Sequence, residues 1–169
     1  MWIAVLLCLG AIALFLGPLM LMQPTASQRR EAKLRKQALD LGLRVHLQQI
    51  PKEIAADSRS KTIASYCLPW ENKKDANNVW ILVKTKYSHG LHFHGPWNWE
   101  KEAEGGNLIA LQQSLETIPE RVVAIASGPQ GLCCYWNEQG GDAVLEEINT
   151  WLRATAAQLQ ARRALSTPQ

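Results

Sequence analysis

Residues 2–22 run for twenty-one positions without a charge or a strongly polar side chain, and this stretch constrains what the chain can fold into. At ~1.5 Å of rise per residue it makes a helix of about 31 Å, close to the ~30 Å of a bilayer's hydrocarbon core. Backbone groups in lipid must be satisfied within their own segment, so the expectation is a transmembrane helix over residues 1–23. A cleaved signal peptide fits less well. No Lys or Arg precedes the run, and Pro24 stands where a cleavage site needs small residues. Arg29, Arg30, Lys33, Arg35 and Lys36 follow closely. Positive charge stays on the cytoplasmic side, which places the N-terminus outside and the body inside. The expected address is therefore the bacterial inner membrane, with a single pass and a cytoplasmic C-terminal domain. The four cysteines then sit in a reducing or lipid setting and need not pair. Gly10, Ala13 and Gly17 share one side of the span and form a small-residue face that lets a second helix approach.

Over 169 residues, 47% are hydrophobic and 20% charged, and seven are Trp, which excludes a disordered or fibrous chain. The net charge of +3 is local. Residues 28–36 hold five of the 18 basic residues and one of the 15 acidic ones, leaving 13 against 14 elsewhere. Nucleic acid is thereby disfavoured as a partner. Anionic lipid headgroups become the expected contact of Arg29, Arg30, Lys33, Arg35 and Lys36, at ~1 kcal/mol for each base near the surface. The same stretch favours helix over residues 27–41 within a juxtamembrane segment 24–42. Thr25 or Ser27 can cap its start, Gly42 can end it, and Leu34, Ala38 and Leu41 form a narrow apolar stripe.

The apolar run, Pro24, the basic helical run and Leu41-Gly42-Leu43-Arg44-Val45 together resemble the start of the YajC-type accessory subunit of the bacterial preprotein translocase. They are also similar to small one-span proteins of gammaproteobacteria in which an Arg-rich run leads to a Leu-Gly-Leu step. The resemblance covers roughly residues 1–48. It implies an inner-membrane protein near the translocation machinery, with a membrane-protein partner or a second copy of itself. Beyond that point the chain departs from the YajC pattern, which has a short β-rich body and no long closing helix or Trp-rich middle.

After Gly42 the period changes. Leu43, Val45 and Leu47 alternate with Arg44, His46 and Gln48, as in a half-buried strand. Residues 63–68 and 79–85 read as further strands, and the second of these turns back through 86–90 into a strand over 91–97. Leu108, Leu111, Leu115 and Ile118 space an amphipathic helix that stops before Pro119. Residues 121–127 and 132–136 flank Gly128-Pro129-Gln130-Gly131 as a hairpin. Asp142 can cap a closing helix that runs to about residue 164. The expected fold is α+β: an N-terminal transmembrane helix, then a domain over 43–164 with a mainly antiparallel sheet covered by two helices, and a tail over 165–169.

No motif of catalysis, phosphate binding or paired-cysteine zinc binding occurs, so neither an enzyme nor a cofactor is implied. Cys133 and Cys134 are adjacent and would point to opposite faces of a strand. The ligand-like cluster is His89-Gly-Leu-His92-Phe-His94. On a strand His92 and His94 share a face and could hold one metal ion, with His89 joining if Gly90 turns the chain and His46 or Glu100 completing the site. The simpler reading is two imidazoles on a solvated face. Trp97 and Trp99 share a strand face, and core packing is favoured over an exposed partner-binding patch. The leading functional expectation is a non-enzymatic accessory or partner-binding factor of a membrane complex. The alternative is a membrane-anchored metal-binding or catalytic domain centred on His92 and His94.

Overall fold

The computed structural model describes residues 2, 3, 5, 10, 23–51, 54, 61–72, 75–86, 93–104 and 108–165. The chain divides into two units, Met1–Lys33 and Leu34–Gln169. The described residues form helix α1 (Ala26–Asp40), strands β1 (Arg44–Gln49), β2 (Thr62–Leu68), β3 (Trp80–Lys84) and β4 (Trp97–Lys101), helix α2 (Leu108–Leu115), strands β5 (Val122–Gly128) and β6 (Gly131–Trp136), and helix α3 (Gly141–Leu165).

Helix α1 starts as its sequence dictates. The amide of Gln28 donates to the Thr25 hydroxyl at 3.3 Å, and the amide of Thr25 donates to Gln28 Oε1 at 2.8 Å. This reciprocal capping box satisfies two donors that a helix start leaves open. At the other end Gly42 turns the chain with φ 81°. Leu34 and Ala38 of the expected stripe are buried in the core, so the domain placed at 43–164 in fact takes in the second half of this helix.

The membrane-spanning part of the expected fold is corrected. Among the described residues no helix is long and apolar enough to cross a membrane. The reason lies in length and charge: α2 has eight residues, α1 is strongly basic, and α3 has 25 residues but carries Asp142, Glu146, Glu147 and Arg153. The expected span, with Ala13 and Gly17 of its packing face, falls outside the described residues apart from Trp2, Ile3, Val5 and Gly10. The N-terminal transmembrane helix, the single-pass topology and the inner-membrane localisation are accordingly withdrawn.

Strand order in the sheet is β1-β2-β6-β5-β3-β4, and every pairing is antiparallel. Three sequential hairpins build it, and the last to be synthesised, β5–β6, sits between the other two. Residues 63–68 and 79–85 are therefore not neighbours, and β2 and β3 join only through the later hairpin. One strand is misplaced in the sequence reading. Of the strand expected over 91–97, residues 91 and 92 lie outside the described residues and 93–96 are not in a strand: His94 and Trp97 close a tight turn around Gly95 (φ 52°) and Pro96, and β4 begins at Trp97. A glycine with positive φ followed by proline, whose ring holds φ negative, matches the requirement of a type II′ turn.

Alternation along the strands gives the sheet two unlike faces. Ala64, Tyr66, Leu82, Ile125, Leu132, Cys134 and Trp136 form one, and it packs under all three helices. Ile63, Cys67, Val83, Ala124, Ala126, Cys133 and Tyr135 form the other, with Ile50 and Ile54 packed against it. Two helices were expected over the sheet, and the second half of α1 is the third. On the second face Cys67 and Cys133, directly opposed in register, are joined by a disulfide. Two of the cysteines that needed no pairing in a reducing or lipid setting are thus paired.

Candidate functional site

A charged cluster lies on the helix-covered face, apart from the buried Asp75, which accepts from Gln160 Nε2 of α3 at 3.2 Å. Glu138 follows β6 and holds φ 61°, a left-handed conformation uncommon for a side chain of this kind. Its carboxylate accepts from Arg35 Nε at 2.7 Å and Nη2 at 2.6 Å, and from the Tyr66 hydroxyl at 2.7 Å. The Glu138 side chain is 7% exposed and that of Arg35 31%. Burial, with the neighbouring Glu138 adding to it, holds the Tyr66 phenol well above its ordinary range, so it stays protonated and donates. The indole of Trp136 packs against the Tyr66 ring at 5.5 Å and donates to the Gln139 carbonyl, which fixes the turn carrying Glu138. Both carboxylate oxygens are engaged by the protein itself. The arrangement is a clamp between the helix and the sheet.

The second face carries a neutral relay. The Tyr135 hydroxyl donates to Gln48 Oε1 at 2.7 Å, and Gln48 Nε2 donates to Gln130 Oε1 at 2.7 Å. Burial, and secondarily the charge of Glu100, raises the Tyr135 phenol. Ser65 is buried and its hydroxyl donates to the His46 carbonyl, so it is not activated as a nucleophile. The His46 ring Nε2 is buried without a hydrogen-bond partner. Cys134 lies on the opposite face, where complete burial pushes its thiol up and keeps it from thiolate chemistry.

The residues singled out in the sequence disperse. His94 sits in the turn before β4, and His89 and His92 lie outside the described residues. His46 and Glu100 fall on β1 and β4, the opposite edges of the sheet, so they do not complete one site. Among the described residues no group of three or more His, Cys, Asp or Glu is placed to hold a metal ion. Trp97 is buried at 2% exposure, and Trp99 is half-buried against the core, edge-on to Trp80 at 6.0 Å and against Phe93 at 4.5 Å, so packing accounts for both. In the basic run, Arg35 is committed to Glu138, and Arg29 donates to the Pro24 carbonyl. Arg30, Lys33 and Lys36 are exposed. The sequence reading did not single out Glu138 or Tyr66. Their only local signal is one acidic residue in the Asn137-Glu138-Gln139-Gly140 turn.

The two edges of the sheet differ. At β4 the chain folds back so that His94 and Trp97 exchange both main-chain hydrogen bonds, the pairing with β3 shifts register between Ile81 and Leu82, and Glu100 and Lys101 charge the end. Each of these features protects an edge from adding strands. The β1 edge has neither the fold-back nor the register shift, and less charge. Its register with β2 is unbroken, its one charge is Arg44 at the first position, and Leu47 is 61% exposed. The amide of Ile50 donates to the Lys61 carbonyl of the β2 side, so by alternation Val45, Leu47 and Gln49 direct their N–H and C=O away from β2.

No protein-family model, curated protein or solved structure matches the chain.

Proposed function

We propose that this protein is a partner-binding factor that acts without catalysis, receiving an extended strand on the β1 edge. The observation that carries this reading is the contrast between the two edges: β4 is guarded by a fold-back, a register shift and charge, and β1 is regular, nearly uncharged and apolar at Leu47. An added strand pairs with the outward main-chain groups, and its side chains meet Leu47 on the helix-covered face. The saturated carboxylate of Glu138 and the hydroxyl of Ser65, bonded to the His46 carbonyl, support the absence of a catalytic role for these groups. The Cys67–Cys133 bond supports placing this work where disulfides persist.

A photo-cross-linking side chain at position 47, introduced in the producing cells, tests the reading against the same group at Glu120, an exposed turn position. Adducts concentrated at position 47 are expected, with Val45, Leu47 and Gln49 amides protected from exchange when the captured protein is added back. Equal or absent adducts at the two positions would refute it.

A further inference from the structure

The strand that fits the β1 edge is, we infer, β1 of a second copy of the same chain, paired antiparallel about a two-fold axis through Leu47. This rests on the strand-addition reading above and names its occupant. The outward groups belong to three residues, Val45, Leu47 and Gln49, spaced symmetrically about the middle one. A two-fold axis normal to the sheet keeps each side chain on its own face. Of the registers that obey that condition, the one centred on Leu47 uses all three outward residues: Leu47 pairs with Leu47 of the second copy, and Val45 pairs with Gln49 in each direction. The exposed leucines then meet across the seam, an apolar contact that neither copy makes alone.

Charge fits the same arrangement. Arg44 is the only charge on the strand, and antiparallel pairing about Leu47 puts the two Arg44 residues at opposite ends of the seam, about 20 Å apart at ~3.3 Å per residue. A parallel pairing would set them side by side. The unit Leu34–Gln169 carries 15 basic and 14 acidic residues, so two copies approach with little net repulsion. The β4 edge, with its charges, register shift and fold-back, offers no comparable seam, so pairing closes at two copies and does not propagate.

The full-length chain is to be measured by sedimentation and light scattering over a concentration series, alongside Leu47→Lys, Leu47→Cys and Arg44→Cys. A concentration-dependent dimer is expected. Leu47→Lys sets like charges opposite each other and should weaken dimerisation about ten-fold or more, with an unchanged circular dichroism spectrum. Directly paired residues lie ~5.5 Å apart at Cα, within reach of a disulfide, so Leu47→Cys should cross-link between copies on mild oxidation and Arg44→Cys should not. A chain that stays monomeric and fails to cross-link at position 47 overturns the second copy. If position 47 still captures a different protein in cells, strand addition survives and only its occupant is wrong. If it captures nothing, both fall. Equal cross-linking of the two cysteine variants also overturns the proposal, because it would mean random collision.

Discussion

The two faces of the sheet are stabilised by different means. The helix-covered face is filled by large side chains, Tyr66, Trp136, Leu82, Ile148 and Leu152 among them, and it anchors α1 through a half-buried ion pair. The second face sets Ile63, Val83 and Tyr135 beside the small Ala124, Ala126 and Ser65 and the cystine, and its tyrosine donates to a neutral amide. Three helices supply enough apolar area to hold the first face. The second face has no such helical cover among the described residues, and a covalent link adds to what Ile50 and Ile54 bury there. Each face also carries one hydrogen-bonded tyrosine, Tyr66 to a carboxylate and Tyr135 to an amide, so the same phenol reports on both.

The largest expected effect lies on the second face. The cystine joins residues 66 positions apart, and closing a loop of that length removes about 4 kcal/mol of unfolded-chain entropy. Replacing both Cys67 and Cys133 by Ala should lower the unfolding free energy in urea by about that amount. The sulfurs belong to residues 0% and 4% exposed, so reductant should reach them only as fast as that face opens. A loss below ~1 kcal/mol would show that packing, and not the cross-link, holds the second face.

Breaking the clamp tests the other face. Glu138→Ala leaves the Arg35 guanidinium and the Tyr66 hydroxyl without their acceptor. Losing one partner of a buried pair costs ~3–5 kcal/mol. The partial exposure of Arg35 lets water solvate it, so about 3 kcal/mol is expected here. Glu138→Gln keeps an acceptor and should recover part of it. The loss should appear first as faster amide exchange in Leu34–Asp40, since Arg35 is on that helix. Uniform destabilisation without local exchange would mean that the clamp does not anchor α1.

What was legible in the sequence was local. Thr25 or Ser27 marks the start of α1, Gly128-Pro129-Gln130-Gly131 the β5–β6 turn, and Asp142 the start of α3. Gly95-Pro96 was equally legible as a turn, but the apolar residues before it drew a strand over them. The cystine, the Arg35–Glu138 pair and the neighbour of β2 depend on residues 64 or more positions apart (Leu68 and Leu132 being the nearest), with no local pattern to mark them. Insertion of the last hairpin between the first two is likewise a matter of which edges meet, and non-local pairing of this kind is slow to form. The site residues followed the same division. Trp97 and Trp99 were readable as packing residues because alternation is local, and Glu138 was not because its partners come from α1 and β2.

The smallest effects separate the two tyrosines. A hydrogen bond to a charged acceptor contributes ~1.5–3 kcal/mol and one to a neutral amide ~0.5–1.5 kcal/mol, so Tyr66→Phe should cost about twice as much as Tyr135→Phe. Both phenols are raised above their unfolded value near 10. The folded protein therefore keeps both protons where the unfolded chain has begun to lose them. Their contribution is fully present below about pH 10 and is lost as pH rises toward the folded values. Stability should fall on the alkaline side, and less steeply in either Phe variant. Phenolate absorbance gives the sharper readout. Tyr66 faces the Glu138 carboxylate at hydrogen-bond distance, and Tyr135 feels only the more distant charge of Glu100, so Tyr135 should ionise first. If the order were reversed, with Tyr66 ionising while Tyr135 stays protonated, the carboxylate would not be governing its phenol, and the contrast between a charged and a neutral face would fail at its most direct test.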